Sequence, residues 1–210
     1  LLRLDQLEQE NRHLRALLEA RERQPVKSVV AEIMYTAKDP FSRKVILDKG
    51  DQAGIAAGQA VVDESGVIGQ ITRVFPMQSE LTLLTDKDQA IPVMIVRSGL
   101  RAVLFGSGNG LMELRYLAAN ADVQPGDRVV TSGLDGVFLP GLPVATVAKV
   151  ERDQAQTFAR IPCLPAAGVE QFSHVLVLGH RENLPPRPPE AEVINKGKGA
   201  KARKARAAKE

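Results

Sequence analysis

Tryptophan is absent from this sequence, and aromatic residues of all kinds make up 4% of it. Any core must therefore be filled by Val, Ile, Leu and Ala rather than by rings. A single cysteine, Cys163, excludes an intramolecular disulfide framework. Lying between Pro162 and Leu164 in an apolar run, it reads as a buried, inert thiol. Histidine is scarce too, with three in the chain. His174 and His180 have no cysteine or carboxylate cluster beside them to complete a metal site, so no metal or other cofactor is expected. No apolar run reaches the roughly 18 residues that cross a bilayer as a helix. The chain begins at Leu1 rather than Met, and the expectation is that a signal or anchor lies upstream.

What is present points to a globular body with two dissimilar ends. Hydrophobic residues make up 44% of the chain, too many for a disordered one. The net charge of +3 conceals an imbalance. Lys196, Lys198, Lys201, Arg203, Lys204, Arg206 and Lys209 stand against Glu210 alone, so the body before them is net acidic. Ahead of that run, Pro185-Pro186-Arg187-Pro188-Pro189 favours an extended chain. Residues 183–210 therefore read as a Pro-rich, basic, disordered tail. Its charges suit either plain solvation or contact with anionic lipid head groups; nucleic acid is not an expected partner.

Residues 1–24 contain neither Gly nor Pro and stop at Pro25, which predicts a helix with a defined end. Leu4, Leu7, Asn11, Leu14 and Leu18 fall on heptad positions a, d, a, d and a. An asparagine in such a seam fixes the register of a parallel pair at some cost in stability. Across that pair Arg3 faces the other helix's Glu8, and Glu10 its Arg15, both attractive. The expectation is a dimerising coiled coil; the alternative is a helix docked on the body. Less than three heptads is marginal alone, and tethering at a membrane would help it pair.

Between residues 25 and 182 no helical period persists. Twelve short runs rich in β-branched residues follow one another between turn signals: SVVAEIMY, RKVILD, QAVVD, GVIGQITRVF, ELTLLT, IPVMIV, RAVLFG, LMELRYL, DRVVTS, LPVATVAKV, FARIPCL and HVLVL. Such spacing predicts barrels or sandwiches. In LMELRYL, Met112, Leu114 and Tyr116 alternate with Glu113 and Arg115, placing the first three on one side. Residues 54–74 echo residues 122–150, each with a turn ending in Gly, a Val-Val strand, a second Gly turn and a strand ending in Val.

The densest glycine cluster, around Pro125, Gly126, Asp127, Thr131, Ser132, Gly133, Pro140 and Gly141, admits three uses. A phosphate loop would open a helix and end in Gly-Lys-Ser or Gly-Lys-Thr; neither occurs. A serine hydrolase deserves the closer test, since Gly126-Asp127 followed by Ser132-Gly133 is similar to the pattern in trypsin-like proteases. A triad of that order needs a histidine upstream, and the only one is His13, in the helical segment. Turn building accounts for the cluster best: Pro-Gly pairs suit type II turns, and Asp127 can accept from nearby amides.

Several segments in order resemble the MreC family of bacterial rod shape-determining proteins. They are Asp48-Lys49-Gly50 with Gly54 and Gly58, Gly66-Val67-Ile68-Gly69, Leu84-Thr85-Asp86, Arg97-Ser98-Gly99 and, most distinctive, GDRVVTSGLDGVFLPGLPV. Ala145 departs from the pattern, which usually continues with Gly. The resemblance implies a mainly β fold: a coiled-coil helix followed by two six-stranded β-barrels like an inactive chymotrypsin-like protease, the barrels lying within 25–182, either consecutive or interleaved. It implies a single inner-membrane anchor with a periplasmic ectodomain and a homodimer, with or without higher assembly. It further implies a non-catalytic scaffold working with MreB, MreD, RodA and a class B penicillin-binding transpeptidase in peptidoglycan synthesis. The contrasting reading is a hydrolase or small-ligand binder using the cleft between the barrels.

Overall fold

A computed structural model of the chain describes residues 2–23, 25–36, 42–118, 120–151, 159–168 and 173–179. The expected tail, 183–210, lies outside them. Helix α1 spans Leu2–Arg23, with Asp5 in its first turn and Arg21 and Arg23 in its last, each sign matched to the helix dipole. Twelve strands follow, one in each run expected from the sequence: β1 Ser28–Thr36, β2 Lys44–Leu47, β3 Ala60–Val62, β4 Val67–Val74, β5 Ser79–Leu83, β6 Ala90–Ile95, β7 Arg101–Gly106, β8 Met112–Arg115, β9 Arg128–Thr131, β10 Pro143–Val147, β11 Ile161–Pro165 and β12 His174–Leu178.

The strands close into two six-stranded barrels, in the orders β1-β12-β3-β4-β5-β2 and β10-β11-β8-β7-β6-β9. Every pairing is antiparallel. Closure leaves no free sheet edge in either barrel. The second barrel is an insertion in the first: the chain leaves after β5, builds β6 to β11, and returns as β12 to pair with β1 and β3.

Side-chain alternation explains how the barrels adhere. In β3 and β12, Val61, Val175 and Val177 point into the first barrel with Leu47, Ile71 and Leu81. Their neighbours Ala60, Val62, Leu176 and Leu178 point the other way and join a cluster that holds Ile91, Val93, Leu104 and Leu114 of the second barrel, together with Leu17 of α1. Strands buried on both faces need apolar residues at consecutive positions, and that is why AVV and VLVL show no alternation. Each such Val or Leu withdrawn from water contributes about 1.5–3 kcal/mol. Ala145 is buried in the same cluster, so the methyl that departs from the family pattern has a place to pack.

Backbone meets backbone where the barrels touch. A Cβ on Gly66, in the β3–β4 turn, would lie 2.4 Å from the carbonyl oxygen of Pro143 at the start of β10. Only glycine permits that approach.

The echo between residues 54–74 and 122–150 is a shared hairpin entry. Gly58 N donates to Ile71 O at 2.8 Å and Ile71 N to Gln59 O at 2.9 Å; Gly126 N donates to Val147 O at 2.8 Å and Val147 N to Asp127 O at 2.9 Å. The glycines have φ of 88° and 87°. The next side chain closes the turn in both: Gln59 Oε1 accepts from Ala56 N at 3.0 Å, and Asp127 Oδ2 from Gln124 N at 2.9 Å. The second copy is reinforced by Arg97, whose Nε and Nη2 donate to Asp127 Oδ1 and Oδ2 at 2.8 and 2.9 Å while its other bonds hold Asp122.

One expected face is corrected. Met112 and Leu114 are buried, but Tyr116 is 69% exposed. Its φ of 63° takes it out of the pleat one residue after β8 ends, so the alternation stops at Arg115. Its ring stands edge-on to Phe105, 5.9 Å between centroids, with the Arg115 guanidinium over that same Phe105 ring at 4.9 Å.

Three outcomes follow from these contacts. A Cβ at Gly126 meets no atom within 4 Å, so Gly126→Ala should cost backbone strain alone, about 1–3 kcal/mol by denaturant titration. Gly66→Ala should lower the melting temperature and speed proteolysis at the barrel junction, because the obstructing atom belongs to the backbone. Arg97 beside Asp127 holds that carboxyl below the usual carboxylate range. Its stabilisation is therefore present above the unfolded carboxylate pKa of about 3.9 and is lost as pH falls through the lower folded value. In thermal melts below about pH 4, Asp127→Asn should show a shallower acid-induced fall than the parent chain.

Candidate functional site

The helix presents two different faces. Leu4, Leu7 and Leu18 are 58%, 54% and 52% exposed, Asn11 is exposed beside them, and Leu14 is half-buried. A shallow groove runs along this side, lined by Leu7, Glu8, Asn11, Arg12 and Arg15. At 100° per residue these positions form one stripe, roughly 130° around the helix from a second one. The second stripe is His13, Leu17 and Ala20. His13 and Leu17 are only 4% and 1% exposed, and Ala20 packs beside Leu17 on the shared cluster. Docking and the leucine seam thus use separate sides of α1. The sequence had set these up as rival readings; the contact with the barrel is real, and it leaves the seam uncovered.

His13 is held at the meeting point of three elements. Its Nε2 lies 3.1 Å from the backbone carbonyl of His174 in β12, and its Nδ1 3.0 Å from Glu64 Oε2 in the β3–β4 turn. In the same turn Asp63 Oδ1 accepts from the amides of Ser65 and Gly66 at 2.7 and 2.8 Å. Burial pushes the Asp63 carboxyl upward in spite of those two bonds. Sequence reasoning missed this contact. The i, i+4, i+7 spacing of His13, Leu17 and Ala20 was a signal, outweighed by the stronger leucine heptad.

The residues of the glycine cluster are placed as turn builders. Pro125 and Gly126 form the central pair of a turn closed by Asp127 N donating to Gln124 O at 3.1 Å. Thr131 Oγ1 donates to Leu139 O and accepts from Leu142 N at 2.9 Å. Gly141, with φ of 85° after Pro140, donates to Thr131 O at 2.9 Å. Gly133 packs under Pro140, whose Cβ lies 3.0 Å from where a side chain would begin. Ser132, the nucleophile a hydrolase would require, donates its hydroxyl to Pro92 O at 3.1 Å. Cys163 is wholly buried, and burial pushes its thiol up to about 12. Among the described residues, no group of three or more His, Cys, Asp or Glu is placed to hold a metal ion, and no helix is long and apolar enough to cross a membrane.

The family model described as rod shape-determining protein MreC, barrel core, matches residues 33–179. The cell shape-determining protein MreC of Escherichia coli is 37% identical over 193 residues, covering 90% of this chain and 53% of that protein. The chain spans about half the length of the curated relatives it matches. Among solved structures, MreC from Pseudomonas aeruginosa superposes with a TM-score of 0.71 at 41% identity, covering 73% of this chain and 99% of that one. A complex between a penicillin-binding protein and MreC from Helicobacter pylori contains the same fold, with a TM-score of 0.58 at 20% identity over 72% of this chain and 98% of that one. A helix followed by two interleaved six-stranded barrels, with turn residues in the family's order and a family model covering most of the chain, leaves one assignment: the chain belongs to the MreC family of rod shape-determining proteins.

Proposed function

We propose that this chain is the periplasmic part of a non-catalytic scaffold, tethered at the inner membrane, that maintains rod cell shape by organising or activating peptidoglycan-synthesis enzymes. The observation that carries this reading is the uncovered leucine seam on a helix already fastened to the body by another face. A soluble chain has no reason to expose three leucines in heptad register unless something covers them. A second copy fits, because Arg3 and Glu10 then meet the partner helix's Glu8 and Arg15, each exposed pair worth about 0.5 kcal/mol.

Further partners are proposed from family membership. The complex of a Helicobacter pylori relative with a penicillin-binding protein supports a class B transpeptidase as one of them. MreB, MreD and RodA complete the proposed set. Exposed apolar side chains on both barrels, including Met34, Tyr35, Phe75 and Met77 on the first and Leu134 and Leu164 on the second, are the surface available for such contacts. The basic tail is proposed to meet anionic lipid head groups.

Two experiments test the reading. Leu7→Asp with Leu18→Asp alters only exposed positions, so sedimentation should give a folded monomer where the parent chain is a dimer. A double variant that remains dimeric would assign dimerisation to the barrels. Ser132→Ala, introduced into the full-length protein, should preserve rod shape in cells and cost about 0.5–1.5 kcal/mol for each hydrogen bond its hydroxyl makes, to Pro92 O and from Leu134 N. Round cells containing normally folded protein would instead point to chemistry at that hydroxyl.

A further inference from the structure

The outward face of the second barrel gathers arginines that its own carboxylates do not balance. Strand register fixes the arrangement. Val103 of β7 lies opposite Arg115 of β8, and Leu114 of β8 opposite Ile161 of β11. Carried one residue further, the β8–β11 register sets Arg115 opposite Arg160. Arg101, two residues before Val103 and on the same side of β7, is diagonal to Arg115. All three arginines are exposed. Like charges directly across a ladder destabilise it. Glu113 pairs with Arg115 at 3.2 Å, and Lys149 pairs with Glu151, whose carboxylate Arg160 also attracts. Among the described residues, then, four cations share two carboxylates, and the face stays positive on a body that is net acidic.

Two rings stand among these charges. The Arg115 guanidinium lies over Phe105 at 4.9 Å, and Tyr116 meets the same ring edge-on. Tyr116 reaches this place through a bulge. Ile161 opposes Leu114, yet Ala159 N donates to Leu117 O at 3.0 Å, so β8 spends one residue more than β11 over the same stretch. The extra residue is Tyr116, the one non-glycine of positive φ among the described residues. Glycine would turn there without strain. Tyrosine keeps a ring, 69% exposed, beside the arginines, and a strained residue of that kind is a sign of use.

Size and chemistry narrow the ligand. β7, β8 and β11 are adjacent strands, so the three arginines lie within roughly 12 Å of one another. A protein interface of standard size takes about 800 Å² from each partner, several times the area they enclose. Guanidinium groups hold carboxylates with two parallel bonds. An exposed ring beside them offers its face to the apolar C–H side of a sugar.

We propose that Arg101, Arg115 and Arg160, with the rings of Phe105 and Tyr116, bind a carboxylate-bearing saccharide: one disaccharide-peptide unit of a peptidoglycan strand. The choice of ligand rests on the reading above, which sets the chain beside peptidoglycan synthesis. Carboxylates of the peptide arm meet the guanidinium groups, and a sugar ring lies against Tyr116. The scaffold thereby holds the polymer as well as the enzymes that make it.

The test titrates the whole chain with a soluble disaccharide-tetrapeptide released from peptidoglycan, followed by calorimetry and by amide NMR shifts. The expected result is shifts centred on Arg101, Arg115, Tyr116 and Arg160. Arg101→Gln and Arg160→Gln should each weaken binding about tenfold, as should amidation of the ligand's carboxylates. Tyr116→Gly should also weaken binding while holding or raising the melting temperature, because glycine accepts that φ; a tyrosine with only a structural role would not separate the two readouts. Shifts confined to the basic tail overturn the proposal, as do affinities unchanged in both arginine variants or no binding at all. A hexapeptide of glutamate that binds as tightly as the saccharide also overturns it, and marks the face as one for an acidic protein. Each of these failures leaves the scaffold reading standing; that reading falls instead if cells lacking the protein keep their rod shape.

Discussion

The architecture rests on two short strands that have no solvent face. β3 and β12 give one set of side chains to the interior of the first barrel and the other set to the second barrel and the helix. Remove the second contact and Ala60, Val62, Leu176 and Leu178 would stand in water. The barrels are therefore not beads on a string. They share an apolar seam, pinned where Gly66 lets the Pro143 backbone approach. Low aromatic content suits this arrangement, because branched aliphatic side chains fill two thin barrels and the layer between them without the bulk of rings.

Around that seam the polar residues act as stitching. Asp48 accepts from Glu32 N and Asp86 from Arg43 N, each tying together segments distant in sequence, while Asp127 closes its own turn by accepting from Gln124 N. These aspartates belong to the segments that carry the family likeness, and so does Arg97, which clamps Asp127. What identifies the family in sequence is thus largely the chemistry of its turns. The surfaces proposed for interaction lie elsewhere, on the outward side of α1 and on exposed apolar side chains of the barrels.

Strand positions were legible because β-branched runs broken by Gly and Pro have few other ways to fold. The hairpin echo was legible as well, since a positive-φ glycine followed by a side chain that can bond back, Gln59 or Asp127, leaves a recognisable mark. Tyr116 was misplaced because one left-handed residue ends an alternation that the letters alone continue. The clamp from Arg97 to Asp127 spans a distance in sequence that no local pattern reports. His13 was hidden for another reason: on a helix with two apolar stripes, the leucine heptad masks the narrower one. Barrel pairing order came only with the structure, because the return of β12 to β1 and β3 is a long-range choice.

That return has a consequence for how the chain is made. Synthesis proceeds from the N-terminus, so β1 to β5 emerge before the strand that completes their cylinder. The second barrel, whose strands are contiguous in sequence, can shut first and by itself. Until β12 arrives, β1 and β3 have no partner on one side, and unpaired edges are sites where chains aggregate. Closing the first barrel also means joining strands separated by the whole inserted unit, a high-contact-order step that folds slowly. The order of events in its birth is the reverse of the order of its parts: the later module matures early, and the earlier one waits for β12.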